Sequence, residues 1–166
     1  MTVGDRARAS VAVAVPKADA FRIFTEEIDQ WWRRGARFRA SGKRPGTLYL
    51  ETRLGGRLFE AFETTNGPQL VETGVVTLWE PPHRFSFDWR GVTFAPDEKT
   101  EVEVTFAKST SGTLVTVTHS GFSKLRPGHP VRHGQDAVVF IRTMGLWWGS
   151  LMTSLREHAE YRRPGT

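Results

Sequence analysis

His119 is the side chain best placed for acid–base work. It closes a stretch, residues 113–119, in which Val115 and Val117 alternate with polar neighbours, and alternation puts it on their apolar side. An imidazole there either acts as a neutral general acid/base or carbonyl-orienting group, or serves as a hydrogen-bonded structural group at a strand end. Glu60 and Arg57 are the other catalytic candidates. They lie three residues apart on one strand and so face opposite sides. If Leu58 and Phe62 point inward, Glu60 is a buried carboxylate able to act as acid, base or polar anchor. If Phe59 and Ala61 point inward, Arg57 is the inward group. Alternation with Phe87 and Trp89 places Asp88 and Arg90 outward, away from any chemistry. His129 and His133 lie in a Gly/Pro-rich connection and read as solvated. With His119 they have no nearby carboxylate except Asp136 and no thiolate, so no metal and no cofactor is expected.

Aromatic side chains are the strongest signal. Trp31, Trp32, Phe59, Phe62, Trp79, Phe85, Phe87, Trp89, Phe122, Trp147 and Trp148 form a set that either fills a core or lines an apolar pocket. The expected lining is Trp31, Trp32, Phe59, Phe62, Trp79, Phe87, Trp89, Phe122, Trp147 and Trp148 of this set, with His119, Met144 and Leu151. Gly145 and Gly149 lie four apart on one side of that helix. They mark either a close approach to another element or room for a ligand.

These residues need elements to hold them. Residues 135–161 carry the three-then-four apolar spacing of an amphipathic helix, through Val138, Ile141, Met144, Trp148, Leu151 and Leu155. Gly134 precedes it and Pro164-Gly165 mark its expected end; at 1.5 Å per residue it is roughly 40 Å long. Strands are expected at 9–15, 47–52, 57–63, 70–79, around Phe85–Trp89, around Val102–Phe106 and at 113–119, with residues 1–8 frayed. Pro16 opens a short helix bearing Phe21, Phe24 and Ile28, and a second short piece carries Trp31 and Trp32. Gly55-Gly56 reads as a hairpin turn, not a phosphate cradle. Consecutive strands with short connections make an antiparallel meander, apolar on one face, that the last helix covers.

Composition narrows the classes. The chain has 166 residues, 39% hydrophobic and 25% charged, with no cysteine and a net charge of +5. That fits one domain spanning 1–166, free of disulfides, with neither a signal-peptide core nor a run long enough to span a membrane. A cytoplasmic setting is expected. Arg33, Arg34, Arg37, Arg39, Lys43 and Arg44 form a basic segment at 33–44 with no acidic residue, either a solvated loop or a partner contact. Helical zinc-protease, nucleophile-elbow and kinase motifs are missing from the sequence.

Several stretches, in order, resemble one superfamily. They are Trp31-Trp32, the run Leu54-Gly55-Gly56-Arg57-Leu58-Phe59-Glu60, and Gly74-Val75-Val76 followed by Trp79-Glu80-Pro81-Pro82-His83-Arg84-Phe85 and Trp89. Thr116-Val117-Thr118-His119-Ser120-Gly121-Phe122 and Gly145-Leu146-Trp147 complete the set. The set is similar to the SRPBCC superfamily, and within it to the branch named for the activator of heat shock protein 90 ATPase, over about residues 9–160. The resemblance implies an α+β helix-grip fold. In it a curved antiparallel sheet of six to seven strands wraps a long C-terminal helix, with two short helices after the first strand and a hydrophobic cavity between. It implies a binder of a small hydrophobic molecule of lipid, polyketide or aromatic character. The alternatives are a polyketide cyclase/dehydratase-like enzyme using His119 with Glu60 or Arg57, and a co-chaperone-like interaction domain using the basic segment 33–44. A nucleic-acid role is the weakest expectation, since the aromatics fall on the core face. Either a monomer or a homodimer fits.

Overall fold

In a computed structural model residues 5–161 are described. The elements follow the predicted order. Strand β1 (Arg6–Val13) leads into helices α1 (Lys17–Glu26) and α2 (Ile28–Trp31). Six strands follow, β2 (Gly46–Leu50), β3 (Arg57–Thr64), β4 (Gly67–Glu80), β5 (Arg84–Trp89), β6 (Thr100–Ser109) and β7 (Gly112–Ser120), and then α3 (Ala137–Tyr161). They build a seven-stranded, wholly antiparallel sheet in the order β1-β7-β6-β5-β4-β3-β2, curled around α3 as a half-barrel.

Alternation explains the inner face. Val102 and Val104 of β6, Val115 and Val117 of β7 and Phe85 of β5 are each 0% exposed, and Val13 of β1 is 1% exposed. Trp148, Leu151, Met152 and Leu155 of α3 share one core with them, and Phe21 and Phe24 of α1 close its far end. The first strand starts at Arg6 rather than Ala9, because Ala7 pairs with His119 and is buried while Arg6 and Arg8 point to solvent. Helix α3 starts at Ala137 with Asp136 as its cap, the Asp136 Oδ1 accepting the Val139 N–H at 2.9 Å. The Pro164-Gly165 stop lies outside the described residues, as do residues 1–4 of the expected frayed end.

Two irregularities of β4 shape the site. Leu58 pairs with Gly74 and Phe59 with Glu72, so Thr73 is the extra residue of a bulge; a second shift lies between Val76 and Leu78. At the first bulge the Val75 N–H turns to Asp88 Oδ1 at 2.8 Å. Asp88 therefore faces outward, as alternation demands, yet is only 8% exposed.

Candidate ligand-binding site

His119 lies on the inner face, 0% exposed. Its Nδ1 accepts the indole N–H of Trp148 at 3.1 Å, so the ring proton sits on Nε2, which donates to Thr100 Oγ1 at 2.7 Å. Both nitrogens are thus committed. Burial among apolar groups lowers the pKa to about 3, because the charged form cannot be solvated there. At neutral pH this is a neutral imidazole that orients Trp148, with no nitrogen directed at an outside proton donor.

Around it stand most of the predicted aromatics. Trp148 meets Trp32 edge to face at 5.6 Å and Trp147 at 5.1 Å. Trp89 stacks on Trp32 at 6.3 Å, meets Trp147 at 5.9 Å and lies 5.6 Å from the His119 ring. Phe122 lies 4.5 Å from the same imidazole, on the other side of which Phe140 and Leu125 form a small satellite core. Trp31, Phe87 and Leu151 belong to the main core, and Met144 packs against both clusters. The expected cavity between sheet and α3 is filled at this level. Trp148 and His119 are fully covered, and a water-sized gap against either ring would expose it. The partly buried rings, Trp89, Trp147 and Phe38, form the rim.

Three predicted lining residues lie elsewhere. Phe59 is on the outer face, stacked on Tyr49 at 5.1 Å with the Arg57 guanidinium 4.6 Å above its ring. Phe62 is inward but near the end of β3, half-buried and outside the main core. Trp79 pairs with Phe85 at the opposite end of β5 from Trp89.

The register of β3 places Leu58 and Glu60 inward, 1% and 4% exposed, and Arg57 outward. Glu60 accepts the backbone N–H of Ala40 at 2.6 Å and of Ser41 at 3.1 Å, tethering the 33–44 segment. Arg57 binds Glu51 through Nε and through its own backbone N–H, each at 2.9 Å, and this pairing holds the Glu51 carboxyl down to about 2. Neither residue approaches His119 as a catalytic partner; both brace turns.

The 33–44 segment is only in part an open basic surface. Arg39 is 4% exposed and bonded to Asp29 at 2.6 Å and to three backbone carbonyls. Arg33 donates to Ser150 O at 2.9 Å and Arg34 to Gly46 O at 3.0 Å. The segment lies across the rim, with Trp32 Nε1–H on Phe38 O at 2.9 Å, Trp147 Nε1–H on Arg37 O at 2.7 Å, and Phe38 stacked on Trp147. Arg34, Arg37, Lys43 and Arg44 stay exposed.

His129, expected in solvent, is 1% exposed. Its Nδ1 accepts the Val131 N–H at 3.0 Å and its Nε2 donates to Glu98 at 2.9 Å. The Ala95 N–H, with Arg126 and His129, holds the Glu98 carboxyl down to about 2. A Gly/Pro-rich composition hid this loop-to-loop contact, since its partner lies 31 residues away. His133 is exposed as expected, and among the described residues no group of three or more His, Cys, Asp or Glu is arranged to hold a metal.

The helix glycines do not mark a close approach. A Cβ at Gly145 would sit 3.9 Å from Arg8 O, and at Gly149 it would meet nothing within 4 Å. Gly149→Ala is expected to raise stability by about 0.5–1 kcal/mol, because alanine loses less backbone freedom in a helix. Urea denaturation checks this; a fall in the midpoint would mean the space at Gly149 is needed.

Among the described residues no helix is long and apolar enough to cross a membrane. Solved structures share the fold across nearly their whole length. A Mesorhizobium loti protein is 17% identical with a TM-score of 0.63, covering 95% of this chain and 98% of its own. A Nitrosomonas europaea protein is 17% identical at 0.63, covering 98% and 99%. A Staphylococcus aureus protein described as of unknown function is 12% identical at 0.67, covering 95% and 94%. At these identities the likeness concerns fold alone. No curated protein matches the chain. The model of one family matches residues 14–160, in agreement with the ordered motifs and the half-barrel around α3, and the chain belongs to that family, the activator of Hsp90 ATPase homolog 1-like proteins.

Proposed function

We propose that the chain binds a small apolar molecule at the rim between sheet and α3, against Trp89 and Trp147 and beneath the 33–44 segment. One observation carries this reading. Of the aromatics around His119, Trp89 and Trp147 are only partly buried, and among the described residues the Trp89 indole N–H has no acceptor within the protein, whereas Trp32, Trp147 and Trp148 each donate to one. An apolar, partly open aromatic wall with one spare donor suits an apolar ligand that carries a single acceptor. The committed nitrogens and depressed pKa of His119 favour binding over acid–base turnover at this site.

Native mass spectrometry of freshly purified protein tests this. A discrete small-molecule adduct is expected on the wild type. Trp89→Ala, at the rim, is expected to weaken its binding about tenfold. A bare mass, together with no shift of the Trp89 indole signal when naphthalene is added, would end the reading.

A further inference from the structure

A groove of about 470 Å³ opens at the other end of the core from the Trp89 rim. Phe21, Arg22 and Glu26 of α1 form one wall, and Trp79, Pro81 and Pro82 form the other. Trp79 pairs with Phe85 while Trp89 ends the same strand four residues later, so the two tryptophans are roughly 13 Å apart along β5. The volume lies within the ordinary range for a small-molecule pocket, about 300–1,000 Å³.

Three features define an occupant. First, the floor is flat and apolar. Trp79 is held edge-on by Phe21 at 5.1 Å and by Phe85 at 5.6 Å, which fixes its ring, and the two prolines add rigid apolar surface that loses no rotamer freedom on binding. Second, Trp79 has a spare donor. Trp31, Trp32, Trp147 and Trp148 donate to Phe24 O, Phe38 O, Arg37 O and His119 Nδ1. Among the described residues the Trp79 N–H has no protein acceptor, and it is not a buried orphan, so it remains open to an outside one. Third, the positive charge of the wall is already answered. Arg22 binds Asp19 at 2.6 Å and lies 3.9 Å from Glu26, so two carboxylates already answer the one guanidinium and the wall offers no free cation to an anionic ligand.

From these features we infer that the groove is a binding site for a small, flat aromatic molecule that carries no negative charge and bears a hydrogen-bond acceptor. Its ring lies against Trp79 and the two prolines, and its acceptor takes the Trp79 Nε1–H. This inference does not depend on the Trp89 rim, which lies at the opposite end of the strand.

Coumarin, neutral and bearing a carbonyl, is a suitable probe, with naphthalene (no acceptor) and 2-naphthoate (charged) as controls. The readout is the set of indole N–H signals in proton–nitrogen correlation spectra, the Trp79 signal being the one absent from Trp79→Phe. Coumarin should shift the Trp79 signal in a saturable way, and bind Trp79→Phe about 2–10-fold more weakly, the share of one neutral hydrogen bond. 2-Naphthoate should bind more weakly than coumarin. Ala18→Phe, which fills the groove from an exposed helix position, should abolish the Trp79 shift and leave the other indole signals in place. An unmoved Trp79 signal at saturating coumarin, equal affinity for Trp79→Phe, or tighter binding of 2-naphthoate overturns the inference. Coumarin shifts confined to Trp89 would overturn it too, while supporting the rim.

Discussion

His119→Ala should lower stability by about 3–4 kcal/mol, combining the cavity left by a fully buried ring with the loss of its two hydrogen bonds. The cavity opens under Trp148, whose N–H loses its acceptor, and beside Thr100, whose hydroxyl loses its donor. The same residue imposes a pH dependence. In the unfolded chain His119 titrates near its ordinary 6.5, and in the folded protein at about 3. Between those values the unfolded state holds a proton that the folded state lacks, so falling pH favours unfolding. Stability contributed by the neutral ring is complete above pH 6.5 and drains by about 1.4 kcal/mol per unit as pH falls from 6.5 toward 3. Glu51 and Glu98, lowered to about 2 from an ordinary 4.5, lose their contributions as pH falls from about 4.5 toward 2. The window between pH 6.5 and 5 therefore lies above these carboxylates, and comparison with a His119 variant separates this histidine from the other four. Urea titrations across that window should show the wild type losing stability faster than His119→Gln, whose side chain carries no proton to gain. Parallel curves would mean that His119 reaches solvent in the folded protein.

Why His119 was legible, and its neighbours less so, follows from range. Period-two alternation along β7 is local, and it placed His119 inward beside Val115 and Val117. The three-and-four spacing that predicted α3 is local too, and it placed Trp148, Leu151 and Leu155 in the core. Register along β3 was not legible, because its polar and apolar residues do not alternate cleanly; the bulge at Thr73 and the pairing of Leu58 with Gly74 decided it. Phe59 shows the consequence, since a large ring reads as core until Tyr49 and Arg57 are seen to shelter it on the outer face. Asp136 was a readable cap, a short acceptor side chain just ahead of a periodic run, and Gly134 drew attention from it. Partners distant in sequence left no local mark: Glu98 for His129, Thr100 for His119, and Asp29 for Arg39.

Arg39→Ala should have the other large effect, a loss of about 3–5 kcal/mol, because it takes a buried donor from three backbone carbonyls, at about 1 kcal/mol or more each, and leaves Asp29 to Arg34 and the Leu48 N–H. The Arg39 side chain is 1% exposed. It donates to Asp29 Oδ1 at 2.6 Å, Asp29 O at 3.0 Å, Trp32 O at 2.7 Å and Arg33 O at 3.2 Å. Asp29 in turn accepts the Leu48 N–H at 2.8 Å, so one guanidinium links α2, the 33–44 segment and the edge strand β2. Burial alone would raise the Asp29 pKa, but the Leu48 N–H and Arg39 outweigh it, and the carboxyl titrates below its ordinary value. Arg39→Lys should recover less than half of the loss, since a point charge cannot serve acceptors in several directions at once. The damage should also be local in a particular way. With Arg39 gone, the ties left to the segment are those of Glu60, Trp32 and Trp147 over the rim and of Arg33 and Arg34 at its start. Trypsin should then cleave first at the basic residues of 33–44, and the Trp147 indole signal should move toward a solvent position before the signals of the core tryptophans do. An unchanged urea midpoint in Arg39→Ala, or cleavage elsewhere first, would mean that this segment is held by its edges alone and that the buried arginine is incidental to the cover it forms.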